Sequence, residues 1–201
     1  MRKLLLIRHG ESEADILKVH EGRADFPLTE KGHQQAAAMG KWVSDRYEID
    51  LIFASTLRRA AQTAGYLSEA SGVSILFDED LMEFNNGLLA GLPFEEAARL
   101  YPKVEGLAPD QSVYGQETQY EFRDRAERAL KNCLRQIPDG ATAAIVSHGG
   151  MINQLFDVLI GLPTTAPTRF LTGDTGVHLW VLDEAGARLM FSNCQEHLLN
   201  R

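Results

Sequence analysis

Two cysteines in 201 residues, Cys133 and Cys194, are too few and too far apart for a disulfide framework or a metal site built on paired thiolates. That scarcity fits a reducing compartment. Long apolar runs are missing as well. The basic start MRKLLLI carries only four consecutive aliphatic residues before charge intervenes, short of a signal peptide or a membrane span. Basic residues are the minority, 20 Lys and Arg against 28 Asp and Glu for a net charge of -8, which argues against an extended cationic face for nucleic acid or anionic membrane. Repeats and low-complexity linkers are also missing. These shortages lead to the expectation of a cytoplasmic protein without nucleic-acid or membrane partners, in which any phosphate site is a local basic pocket.

What is present is ordinary globular material, 44% apolar and 24% charged, enough for one domain spanning residues 1–201. Short β-rich runs at 3–7, 50–54, 74–77, 142–147, 177–182 and 187–191 read as strands. Helical spacing marks 30–46 (with Thr29 placed to cap), 57–70, 117–137 and a segment from near Gly150 to before Gly161. Strands alternating with helices predict an α/β fold, a three-layer α/β/α sandwich with a mostly parallel central sheet, because parallel neighbours need crossover connections. The last two strands, joined around Asp183–Gly186, are placed to form an edge hairpin. Residues 84–116, rich in Gly, Pro and short apolar pieces, read as a small inserted lobe that closes over a site.

Chemistry concentrates at strand ends, where α/β sheets bind ligands. LLLIRHGES delivers Arg8 and His9 to the end of the first strand, and AAIVSHGG delivers His148 in the same way, followed by Gly149 and Gly150. In LIFASTLRRAAQTA a strand leads into a helix whose first turn carries Arg58 and Arg59. Cations there oppose the helix macrodipole, a conflict that a bound anion would remove, and guanidinium matches phosphate with paired hydrogen bonds. A neutral imidazole is a competent nucleophile towards phosphorus, and nearby cations would neutralise the transferring group. The leaving alcohol needs a proton. Asp78 to Asp80 read as a solvated acidic turn, whereas Glu83, flanked by Leu81, Met82 and Phe84, sits in the less polar surroundings that suit an acid.

The ordered motifs LIRHGES, GRADFPLTEKG, ASTLRRAAQTA, LMEFNNGLLAG, GQET and IVSHGG resemble those of the histidine phosphatase superfamily, the phosphoglycerate mutase-like proteins, over about 150 residues. The resemblance implies that His9 becomes phosphohistidine. It implies that Arg8, Arg59 and His148 bind phosphoryl oxygens with Gly149 beside them, and that Glu83 is the proton donor. Arg59 rather than Arg58 precedes the A-x-Q-T-A pattern. Glu21 and Gly22 resemble the strip that shapes the substrate pocket, and no metal or organic cofactor is implied for phosphatase members. Asp15 stands where many members have Asn, Asn85 and Asn86 replace an Asp-Phe-like pair, and Leu89 replaces the usual Trp.

The remaining histidines have structural readings: His20, His33 and His197 as solvated side chains, His178 as a satisfied strand residue. Cys133 reads as core. Three functions compete: a phosphatase acting on a small phosphomonoester, a phosphoglycerate mutase, and a catalytically silent phospho-ligand binder. The silent reading is disfavoured because His9, Arg59, Glu83 and His148 are all in place. Mutases resemble one another in a longer, more basic insertion. Here about thirty residues separate Glu83 from Glu117, with only Arg99 and Lys103 against Glu95, Glu96, Glu105 and Asp110. Thr175-Gly176-Val177 leans towards the mutases, yet the phosphatase is the favoured reading. The sequence leaves open whether the chain is a monomer or a homodimer.

Overall fold

In the computed structural model, residues 1–199 are described. Four-residue aliphatic runs need burial on both faces, which a parallel sheet covered by helices supplies. Leu4 to Ile7 are fully buried in β1 (Arg2–Arg8). A short α1 (Glu13–Leu17) precedes α2 (Glu30–Ser44), whose N-terminus is capped by the Thr29 hydroxyl accepting from the Gly32 amide. There follow β2 (Leu51–Ala54), α3 (Arg58–Ser71), β3 (Ile75–Phe77), α4 (Phe94–Leu100) and α5 (Gln119–Gln136), with Thr118 and Glu121 forming a capping box at the start of α5. The chain closes with β4 (Thr142–Ser147), α6 (Gly149–Ile160), β5 (Val177–Asp183) and β6 (Gly186–Cys194).

The six strands form one sheet in the order β3-β2-β4-β1-β5-β6. The first four are parallel, and the β5–β6 hairpin joins antiparallel at one edge. Alternation along each strand divides the core. Leu4, Leu6, Phe53 and Ile145 pack under α5 and α6, against Phe122, Leu130, Leu155 and Phe156. Leu5, Ile7, Ile52 and Val146 face α2 and α3, against Met39, Trp42, Ala64 and Leu67. The fold is therefore the expected α/β sandwich. The short helices α1 and α4 lie in segments without a clear helical pattern, and β6 runs longer than the 187–191 expected.

Register positions the chemistry. In the β1–β4 pair Arg8 stands opposite Ser147, so the next residues, His9 and His148, emerge side by side at the carboxyl ends of adjacent strands. The Ser55 amide donates to the Val146 carbonyl at 3.0 Å, which brings the entrance of α3 to the same rim.

Candidate active site

Beyond β1 the chain turns so that Nδ1 of His9 lies 2.7 Å from the Gly10 carbonyl oxygen. A carbonyl only accepts, so Nδ1 carries the hydrogen and Nε2 keeps its lone pair when the ring is neutral. Burial, then the charges of Arg59 and Arg8, hold the imidazole well below its ordinary pKa and so keep it neutral. Nε2 accepts from Nε of Arg59 at 3.3 Å. His148 packs against His9 with ring centroids 5.1 Å apart, and its Nε2 is hydrogen-bonded to the Ser55 hydroxyl at 2.8 Å. It too is held well below the usual value, first by burial and then by Arg59, His9 and Arg8.

The adjacent arginines of α3 part ways. Arg58 is exposed, its amide donating to Asp25 at 2.7 Å, while Arg59 is fully buried. Its terminal nitrogens donate to the carbonyls of Ala24 at 3.0 Å and Gly22 at 2.8 Å, which orients the guanidinium with Nε towards His9. The second guanidinium, that of Arg8, donates to the Thr172 carbonyl at 2.8 Å and lies 3.5 Å from Asp174.

Glu83 reaches the first turn of α6, where its carboxylate accepts from the Gly150 amide at 2.8 Å and from its own neighbour Phe84 at 2.7 Å. It caps that helix and stands at the rim of the sheet. A Cβ on Gly150 would lie 2.4 Å from the Glu83 carboxylate, so the glycine lets the acid approach. The loop carrying Glu83 is stapled from below. Arg125 of α5 is buried, pairs with Glu117 at 2.6 Å and donates to the carbonyls of Asp80, Met82 and Glu83.

Among the described residues, Glu21 is the carboxylate that comes closest to His9, with oxygens 3.2 Å from Nε of Arg59 and 3.7 Å from Nε2 of His9. Gly22 adopts φ +49°, and a Cβ there would meet the Asn86 side chain at 2.0 Å. That close approach explains both the glycine and the buried Asn86. Asp15 is exposed; its carboxylate caps α1 by accepting from the Ser12 amide at 2.9 Å, and the Ser12 hydroxyl lies between it and Glu21, 3.1 Å from Asp15 and 2.5 Å from Glu21. Gly149 sits beside Arg8, where an added Cβ would be 3.9 Å from Nε.

Several positions fall outside the sequence reading. Asp174, Ser55 and Arg125 join the site only through tertiary contacts, although Ser55 lies inside the ASTLRRAAQTA motif. His197 is not solvated: it is buried, bonded to the Thr175 hydroxyl at 2.8 Å and packed on Trp42, because residues 196–198 fold back over α2. His20 and His33 are half-buried, against Phe94 and Tyr66. His178 is satisfied by Thr172 and the Asn193 amide, and Cys133 is core. Among the described residues, no group of three or more His, Cys, Asp or Glu could hold a metal ion, and no helix is long and apolar enough to cross a membrane.

Comparison with known proteins gives a consistent answer. The family model described as histidine phosphatase superfamily (branch 1) matches residues 4–195. A probable phosphoglycerate mutase, GpmB, from Salmonella paratyphi A is 34% identical over 174 residues, covering 84% of this chain and 80% of that protein. Among solved structures, a mycobacterial glucosyl-3-phosphoglycerate phosphatase complexed with VO3 is 25% identical, with TM-score 0.83 over 96% of this chain and all (100%) of that one. A phosphoserine phosphatase from Entamoeba histolytica, in complex with 3-phosphoglyceric acid, is 28% identical, with TM-score 0.79 over 99% and 100% of the two chains. With a match of this extent and two imidazoles and two guanidiniums gathered at one sheet rim, the chain belongs to branch 1 of the histidine phosphatase superfamily.

Proposed function

We propose that this chain is a metal-independent phosphomonoesterase of the cytoplasm that hydrolyses a small phosphorylated metabolite through phosphohistidine on His9. The observation that carries the reading is the His9 ring, with its hydrogen committed to the Gly10 carbonyl and the lone pair of Nε2 turned towards Nε of Arg59. Arg8, Arg59 and His148 hold the phosphoryl oxygens. Nε2 attacks phosphorus in line; the N–P bond forms as the ester P–O bond breaks, and Glu83 gives its proton to the departing alcohol oxygen. Water then attacks phosphorus, its proton passes to the Glu83 carboxylate, and the N–P bond breaks to release inorganic phosphate.

The segment 84–116 acts as the lobe that borders the substrate's organic part. Gly91 and Leu92 hydrogen-bond to the backbone of His20 at 2.8 and 2.9 Å, which seats the segment one residue from Glu21. Its two cations are already paired, Arg99 with Glu96 at 3.9 Å and Lys103 with Glu105 at 2.7 Å. A bisphosphate would find few partners there, which favours hydrolysis over phosphoryl return. The likeness to a probable phosphoglycerate mutase supports a second reading, a bisphosphate-primed mutase.

Phosphate release from a panel of phosphomonoesters, with chelator present, tests both. The panel includes 3-phosphoglycerate plus its bisphosphate, and the parent is compared with His9→Ala. Chelator-resistant release that His9→Ala abolishes is expected. Full turnover by His9→Ala sinks the covalent mechanism, and isomerisation without release moves the assignment to the mutase.

A further inference from the structure

An anion site is expected to be electropositive before its ligand arrives, and this one is not. Both imidazoles are neutral, which leaves Arg8 and Arg59 as the cations. Each already has a carboxylate of its own, Arg8 with Asp174 at 3.5 Å and Arg59 with Glu21 at 3.2 Å, and Glu83 adds a third acid at the rim. Two positive groups face three that are negative when ionised. Of the three, Glu21 stands in the most obstructive place, since its second oxygen is 3.7 Å from the nucleophilic nitrogen, where an incoming phosphoryl oxygen would lie. One N–H of each terminal nitrogen of Arg59 goes to the Ala24 and Gly22 carbonyls, Nε points at His9, and ionised Glu21 competes for that Nε donor.

We infer that Glu21 makes this a proton-coupled oxyanion site: a tetrahedral anion enters together with a proton that settles on the Glu21 carboxylate. Protonated, the carboxyl no longer competes for Arg59 and instead donates a hydrogen bond to an anion oxygen. Only the identity of the anion as a phosphomonoester rests on the phosphatase reading. Glu21 is then a specificity-determining residue, favouring ligands at pH values where the proton is available. Burial already pushes this carboxyl above its ordinary pKa, against the pull of Arg59, the Ser12 hydrogen bond and Arg8, with Asp15 adding to the rise. The groups facing it are Arg59 from α3, His9 and Arg8 from the end of β1, and Ser12 and Asp15 at the start of α1. Asp174, beside Arg8, is also raised by burial and is the rival proton acceptor.

Sulfate tests this directly, because it stays a dianion across the relevant range and needs no turnover to bind. Calorimetric titration with sulfate from pH 5 to pH 8 is expected to show affinity falling by up to about tenfold per pH unit, the limit for one obligate proton. Glu21→Gln is expected to lose most of that slope and to bind sulfate more tightly than the parent at pH 8. An unchanged slope in Glu21→Gln, weaker binding by it at every pH, or a slope abolished by Asp174→Asn instead would each overturn the assignment. If Glu21→Gln does not fold, paired buffers of different ionisation enthalpy decide on the parent protein, where no net proton uptake at pH 6 overturns it. A failure of His9-dependent hydrolysis leaves these sulfate results untouched, so the two ideas fall separately.

Discussion

His9 and His148 stand with ring centroids 5.1 Å apart at 57°, each one residue beyond the Arg8–Ser147 pair of two neighbouring parallel strands. The sheet thus sets the spacing of the two imidazoles, and no loop has to hold them. Rigid placement matters because a nucleophile gains most from alignment with its target, and strand ends provide it at little entropic cost. Burying both rings beside two guanidiniums keeps them neutral, which is the state a nitrogen nucleophile requires.

The dependence on Glu83 should track the leaving group. Alcohols of high pKa need a proton as the P–O bond breaks, whereas a nitrophenolate departs without one. Glu83→Gln is expected to lower kcat/KM, which covers the steps up to phosphohistidine, by about 10²–10⁴-fold for alkyl phosphates and far less for p-nitrophenyl phosphate. Equal losses on both substrates would remove Glu83 from the proton-donor role.

Gly150→Ala separates placement of that acid from stability. The new methyl would lie 2.4 Å from a Glu83 oxygen, and the carboxylate, being the end of a flexible chain, can yield while the backbone stays. Alanine in the first turn of α6 carries no folding penalty of its own. The expected result is an unfolding midpoint close to the parent's, the gain from alanine offsetting the lost cap, with kcat/KM on alkyl phosphates reduced in the same leaving-group-dependent way as in Glu83→Gln. An unaltered kcat/KM would mean that the Gly150 contact does not position the acid.

How much of this was legible in advance follows from physical range. The runs LLLI and TAAIVS announce strands because burial on both faces demands uninterrupted apolar sequence, and RHG and SHGG mark where each strand ends. Helices α1 and α4, five and seven residues long, carry too few turns for periodicity to register and exist through contacts with the rest of the chain. The partners of the site were hidden for a related reason. Asp174 meets Arg8 across 166 positions of sequence, and Arg125 reaches the carbonyls around Glu83 from 42 residues away, separations that no local pattern encodes. His197 shows the same limit, since a polar residue near the end of a chain looks solvated until tertiary packing buries it.

Arg125 should be a stability residue first. It is buried against Glu117 at 2.6 Å and closes three backbone carbonyls, so Arg125→Leu strands a carboxylate and several acceptors in the interior. Removing one member of such a pair costs about 3–5 kcal/mol. Urea unfolding should show that loss, while a change under about 1 kcal/mol would mean that water reaches the loop and replaces the guanidinium.

His178 provides a pH dependence whose sign can be worked out. The Asn193 amide donates to Nδ1 at 3.0 Å, so Nε2 carries the hydrogen and faces the Thr172 hydroxyl at 3.1 Å. The ring is neutral, and a second proton at Nδ1 would displace the Asn193 amide and leave the Ser192 hydroxyl, 3.0 Å away, as the acceptor there. Burial lowers its pKa from 6.5 to about 4 in the folded chain. Above pH 6.5 neither folded nor unfolded chain protonates it, and stability is unaffected; as pH falls from 6.5 towards 4 the unfolded chain takes up the proton first, and stability is lost. A difference of that size corresponds to about 3 kcal/mol, the full loss being reached near the folded value. Buried His9 and His148 are lowered as well and act with the same sign. Urea midpoints at pH 7 and pH 4.5 measure the sum, and an NMR titration isolates the His178 part: the ring should remain neutral at pH 5, and a midpoint near 6.5 would show that burial does not control it.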